Sequence, residues 1–171
     1  MILGPGLRKL ALTAHVAASV GWLGAVAAFL AVAIVGLTSD DPGTARGAYL
    51  VMKPAAWFVL VPLAFASLLT GLVQSLGSSW GLFRHYWVVF KLLIAVVATF
   101  VLLLYMETFA LMARVAADPR ADLGVVQNES PVLHAALALV LLLVATILAV
   151  YKPRGTTAYG RRKPGAVAGD G

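Results

Sequence analysis

The stretch that decides the fold is LALTAHVAASVGWLGAVAAFLAVAIVGL, residues 10–37. It can cross a bilayer, since a membrane-spanning helix needs about 20 mostly apolar residues. His15 is the ionisable residue within it. An ionisable side chain inside a spanning helix is costly unless it faces protein, water or a cofactor. The sequence therefore predicts that His15 faces the inside of a helical bundle.

Three further apolar runs follow, which predicts four helices at about residues 8–37, 55–76, 85–113 and 131–151. The 171-residue chain is 61% hydrophobic and 12% charged, whereas a soluble domain has about 25% charged residues. No run alternates apolar and polar residues as a barrel strand would. We expect an all-α integral membrane four-helix bundle, formed by residues 1–152 as one domain, with a solvated external loop at residues 38–54.

The distribution of basic residues predicts the orientation. They are concentrated before the first helix, between the second and third helices, and after the fourth. The positive-inside bias then places both termini in the cytoplasm. Residues 153–171, rich in Gly, Pro and basic residues, are predicted to be a disordered basic cytoplasmic tail. Anionic lipid headgroups of the bilayer explain the net charge of +6, so no nucleic-acid partner is expected.

Polar residues on the first three helices fall at one predicted depth. At about 1.5 Å per residue, His15, Thr70 and Lys91 each lie roughly 8 Å inside the cytoplasmic boundary. Helical spacing places further polar and aromatic residues on the same faces. The predicted pocket consists of His15, Ser19, Trp22, Thr70, Gln74, Trp87 and Lys91.

Small residues form a second stripe on the first helix, next to His15. Such a stripe lets helix backbones approach closely. It is compatible with packing inside one chain and with a homo-oligomer. Its members are Ala14, Ala18, Gly21, Ala25 and Ala28.

Haem binding is the leading chemical hypothesis from the residues. No nucleophile triad, phosphate-binding loop or HExxH motif occurs in the sequence. Helical bundles hold haem between facing helices with histidine as axial ligand. By depth His15 pairs best with His85, whereas His15 with His134 requires tilted helices. His15 and His134 are also the candidate metal ligands.

Two alternatives stay open. The first is a copper-handling protein, an alternative that the family resemblance given below implies. His134 lies on the predicted outer side with Met52, Met106 and Met112, and thioether sulfur with imidazole suits Cu(I). Methionine in an apolar bundle is more often a packing residue. The second alternative is a structural or assembly subunit without a cofactor.

A scattered set of residues on all four helices resembles the bacterial membrane proteins grouped around the copper-resistance protein CopD and the protoporphyrinogen oxidase HemJ, and an uncharacterised branch among them. The resemblance implies a multi-pass protein of the bacterial plasma membrane, with contact of His15 and Lys91 with haem b or porphyrin, and the CopD likeness implies copper handling as the alternative. A membrane redox partner is a further expectation for a haem protein of this kind. A HemJ-like pattern places a histidine late in the third helix, where this chain has Tyr105 and Met106, so enzymatic activity is left open. The residues that carry the likeness are His15, Trp22, Gly24, Pro62, Thr70, Gly71, Trp87, Lys91 and the ending at residues 134–155.

Overall fold

The computed structural model describes residues 4–77 and 81–161. In these two ranges the chain forms helices and no strand, which confirms the all-helical prediction. Each of the four long helices is long and apolar enough to cross a membrane. They are α1 (Pro5–Thr38), α2 (Pro42–Leu76), α3 (Tyr86–Ala117) and α4 (Ser130–Tyr151).

The four helices pack as a ring. Helix α1 contacts α2 and α4, and α3 contacts the same two neighbours. The rings of Phe29 on α1 and Phe109 on α3 meet edge to face with centroids 5.1 Å apart, a favoured aromatic geometry. Gly21 of the small-residue stripe lies close to Leu63, because a Cβ added at Gly21 would be 3.3 Å from Leu63 Cδ2. At this position the stripe serves packing within the chain.

The outward faces of the helices are apolar. Phe58 on α2 is 78% exposed, and Phe100 and Leu104 on α3 are each 61% exposed. Large exposed apolar surfaces are rare in soluble monomers. This surface suits contact with lipid and fits a multi-pass membrane protein.

Helix α2 begins earlier than predicted, so the prediction that residues 38–54 form a loop is wrong from Pro42 onward. The Asp41 carboxylate accepts a hydrogen bond from Thr44 N at 2.8 Å and another from the Thr44 hydroxyl at 2.7 Å. Pro42 follows as the first helical residue, where its missing N–H costs nothing. Asp41 is therefore the N-cap of α2.

The middle of α2 adapts to two prolines. A π-helical segment, Ala56–Leu60, lies between Pro54 and Pro62. Proline removes a backbone donor and clashes with the carbonyl four residues earlier. The wider turn is a known adjustment at such positions.

The chain after α4 also differs from the prediction. Tyr86 N donates to Gly155 O at 3.4 Å, and Thr157 N donates to Arg84 O at 3.0 Å. A short helix α5 (Ala158–Arg161) follows. Residues 155–157 of the predicted disordered tail therefore lie against the start of α3, while residues 162–171 are outside the described ranges.

Candidate functional site

His15 on α1 contacts Thr70 on α2. The contact lies near one end of the bundle, where α1 begins and α4 ends; this end is called here the terminal end. His15 Nδ1 lies 3.2 Å from Thr70 Oγ1. The Thr70 hydroxyl also contacts the carbonyl oxygen of Ala66 at 2.5 Å. A carbonyl only accepts, and a hydroxyl has one proton, so the Thr70 proton goes to Ala66 and His15 Nδ1 donates to Thr70.

This assignment fixes the chemistry of the other ring nitrogen. In a neutral imidazole only one nitrogen carries a proton, and here it is Nδ1. Nε2 of His15 therefore has a lone pair, since the contact with Thr70 is made by Nδ1. A neutral imidazole held through its other nitrogen is the usual form of a metal-ligating histidine.

The His15 ring packs directly on α2 at Gly71. A Cβ added at Gly71 would lie 3.0 Å from His15 Cε1 and 3.4 Å from Nδ1. The ring thus occupies the space that any larger residue would need. Gly71 and Thr70 together hold the orientation of the imidazole.

A second polar contact joins the same two helices one turn further along. The hydroxyls of Ser19 and Ser67 lie 2.9 Å apart, and Ser67 is only 6% exposed. The Ser19–Ser67 contact fixes the register of α1 against α2 beside the histidine.

A cavity of about 470 Å³ opens beside His15, within the range of roughly 300–1,000 Å³ found for cofactor and ligand sites. Its walls are mainly apolar, and no carboxylate of residues 4–77 or 81–161 lines it. Thr70 contacts His15 but does not itself line the cavity. The polar and aromatic lining residues are His15, Ser19, Trp22, Ser67, Gln74, Ser75, Trp87, Lys91, Thr146 and Lys152.

The charge of the His15 cavity is positive at its terminal end. Lys91 and Lys152 both line it, and Lys91 Nζ lies 5.9 Å from the centre of the Trp87 ring, within reach of a cation–π contact. Two cationic side chains beside apolar walls suit a ligand with an apolar body and an anionic edge.

Gln74 supplies an unused acceptor. Its Oε1 is buried and has no hydrogen-bond partner among the described residues. A buried acceptor left without a donor costs about 1–3 kcal/mol. A ligand or water in the cavity that donates to Gln74 would remove this cost.

The structure separates the other two histidines from this site. His85 precedes α3 and pairs with Thr156, and it does not line the cavity. His134 on α4 stacks near Tyr105, with ring centroids 4.3 Å apart, and lines a smaller cavity. The predicted pairs of His15 with His85 or His134 are not assembled: His15 is the one histidine among the described residues around the larger cavity.

The methionines of the copper hypothesis are mostly core residues. Met52 and Met112 are 0% and 1% exposed, and Met106 packs against the same core. No group of three or more His, Asp or Glu side chains placed to hold a metal ion occurs in residues 4–77 and 81–161. The copper hypothesis stays a prediction with His134 as its central residue.

Ser67 and Lys152 belong to the site, although they are not part of the pocket predicted from the sequence. Ser67 contacts Ser19, and Lys152 lines the cavity from the end of α4. Lys152 is detectable from the sequence, because antiparallel helices bring the end of α4 and the start of α3 to the same end. Ser67 also has a sequence signal, because it lies three and seven residues before Thr70 and Gln74 and so shares their helix face.

Comparison with known proteins adds no further assignment. No protein family, no curated protein and no solved structure matches this chain. The interpretation of the site therefore depends on its own geometry.

Proposed function

We propose that this chain is a multi-pass membrane protein that binds haem b or a related porphyrin in the His15 cavity, on the cytoplasmic side of a bacterial plasma membrane. The carrying observation is the His15–Thr70 contact, which leaves Nε2 with a lone pair on a histidine that lines a cavity of cofactor size. Haem supplies one-electron chemistry when it is bound, and a membrane redox partner would then be required.

The charges of the cavity support a porphyrin with acidic side chains. Lys91 and Lys152 line one end of it. A charge-assisted pair between lysine and a carboxylate is roughly twice as strong as a neutral hydrogen bond. We assign to Lys91 the pairing of a propionate, which agrees with the role implied by the resemblance to CopD-like and HemJ-like proteins.

The remaining walls suit the macrocycle. Trp22, Trp87 and aliphatic side chains from α1, α3 and α4 line the cavity. Apolar walls exclude water and stabilise a flat apolar ring by burial. With His15 as the one lining histidine, we expect a single histidine of this chain to coordinate the iron.

Haemin titration of the full-length protein, purified in detergent, tests the proposal. We expect saturable one-to-one binding with a shifted Soret band, and His15→Ala to weaken binding more than tenfold, since loss of even an outer partner of a metal ligand costs about 10–100-fold. His85→Ala is the matched control and should bind as the wild type does. Lys91→Gln should weaken the binding of haemin more than that of a porphyrin dimethyl ester.

Two outcomes would overturn the proposal. One is absence of saturable haemin binding by a folded wild-type protein. The other is equal affinity of wild type and His15→Ala. Either result would favour the structural hypothesis, in which His15 only packs between α1 and α2.

A further inference from the structure

A second cavity, of about 220 Å³, lies on the other side of Trp22 and is lined by all four helices. Trp22 lines both cavities and is 3% exposed, so it forms part of the wall between them. The second cavity, called here the His134 cavity, extends toward the far end of the bundle, where α3 ends and α4 begins. Its polar lining side chains in the described chain are Tyr105, His134 and the indole of Trp22.

The volume limits what the His134 cavity can hold. An apolar cavity of about 150 Å³ takes up a benzene ring, whereas sites for larger cofactors span roughly 300–1,000 Å³. A volume of about 220 Å³ suits one substituted six-membered ring and is too small for a macrocycle. The ligand class differs from that of the His15 cavity.

The hydrogen bonds of His134 fix its tautomer. Nδ1 lies 2.8 Å from the carbonyl oxygen of Ser130, which only accepts, so Nδ1 carries the proton. The Tyr105 hydroxyl oxygen lies 2.9 Å from the same nitrogen and also contacts the Ser130 hydroxyl. Because Nδ1 carries the proton, the Tyr105 hydroxyl does not donate to it, and Nε2 of His134 is the lone-pair atom.

The cavity thus combines apolar walls with a hydrogen-bond acceptor. No hydrogen bond joins Nε2 of His134 to the described residues. Two residues of the rim are open to the outside of the bundle, Val97 on α3 at 44% exposed and Leu137 on α4 at 57% exposed. A ligand could enter from lipid between α3 and α4 and leave an apolar tail there.

We infer that the His134 cavity binds the ring of a membrane hydroquinone, with one phenolic hydroxyl donating to His134 Nε2. A hydroquinone supplies the three properties together: a single ring, a hydroxyl donor and an apolar tail. The oxidised quinone has only carbonyl acceptors. A carbonyl oxygen and the lone pair of Nε2 share no proton, so they form no hydrogen bond. The site therefore prefers the reduced form.

Calorimetric titration of the full-length protein without added haem tests this inference separately from the haem proposal. The probes are a short-tailed benzoquinone and its hydroquinone, the latter kept reduced under argon, with empty micelles subtracted for partition. We expect the hydroquinone to bind at least about fivefold more tightly than the quinone, the effect of about one net hydrogen bond. His134→Leu should abolish this preference, and His85→Leu, the matched control, should retain it.

A second variant covers the case in which His134→Leu does not fold. His134→Phe keeps a planar ring on α4 and removes the Nε2 acceptor; it should abolish the preference and leave quinone affinity within about twofold of the wild type. Equal binding of both redox forms by the wild type would overturn the inference. So would uptake no greater than that of empty micelles, or a preference that survives in folded His134→Leu.

Discussion

His15 donates from Nδ1 to the hydroxyl of Thr70 across the α1–α2 contact, at 3.2 Å, because the proton of that hydroxyl is already directed to a backbone carbonyl. One hydroxyl therefore determines the tautomer of the histidine. The arrangement resembles the outer shell of metal-binding histidines, in which a second group orients the ring. The first prediction tests this relationship.

Thr70→Val keeps the shape of the side chain and removes the acceptor of the His15 proton. We expect haemin affinity to fall by about 10–100-fold, the usual effect of losing such a partner, with the fold retained. Thr99→Val is the control, since Thr99 is buried and donates to its own helix at Ala95 without lining either cavity. Equal loss of affinity in both variants would show that the effect is not specific to His15.

Gly71→Ala tests the close approach of the imidazole to α2. The added Cβ would lie 3.0 Å from His15 Cε1, so the ring must shift and Nε2 with it. We expect weaker haemin binding and a broader Soret band. Gly24→Ala is the matched control on α1, because its Cβ would meet nothing within 4 Å, and alanine favours a helix over glycine by about 1 kcal/mol. Unchanged binding by Gly71→Ala would contradict the tight packing of the ring.

The sequence predicts the four long helices because each contains an apolar run of membrane-spanning length. It misses the first part of α2, residues 42–55, which carry Arg46 and Lys53 and contain no such run. A weaker signal is nevertheless present there: Ala45, Tyr49 and Met52 are buried at a helical spacing.

The sequence predicts the depth of the site residues along their helices, but it does not predict which side chains contact one another. The common layer of His15 and Lys91 follows from the rise of a helix, and both residues line one cavity. The contact of His134 with Tyr105 depends on how α4 is rotated against α3. That rotation is set by the packing of many side chains and has no local sequence signal, so the sequence does not predict that His134 lies beside Tyr105.

Arg46 is predicted to stabilise the far end of the bundle. Its guanidinium donates to Asp118 O at 2.7 Å and to Ala121 O at 2.6 Å, and it also reaches carbonyls at the end of α3. Arg46→Met should lower the free energy of unfolding by about 1–3 kcal/mol, seen as a lower midpoint in thermal unfolding in detergent. Arg46→Lys should recover little, because lysine lacks the planar fork of donors. The exposed Arg114→Met is the control, and an equal midpoint for both methionine variants would contradict this role.

The N-cap of α2 predicts a dependence of stability on acid pH. Hydrogen bonds from the Thr44 side chain and backbone lower the pKa of Asp41 below its usual value. A lowered pKa in the folded state means that the stabilisation is present above the unfolded-state pKa of about 3.9 and is lost as the pH falls below it. Asp41→Asn should therefore show less loss of thermal midpoint than the wild type when the pH is lowered from 6 to 3. Asp40→Asn is the adjacent control; the same pH response in both variants would exclude a special role for Asp41.

The absorption spectrum of the protein purified from cells supplied with haem tests the central claim most directly. Wild type and His85→Ala should carry a Soret band that sharpens and shifts on reduction, whereas His15→Ala, purified in equal amount and equally folded, should have lost most of it. A folded wild type without a Soret band, or a His15→Ala protein with the wild-type spectrum, would contradict haem binding through His15.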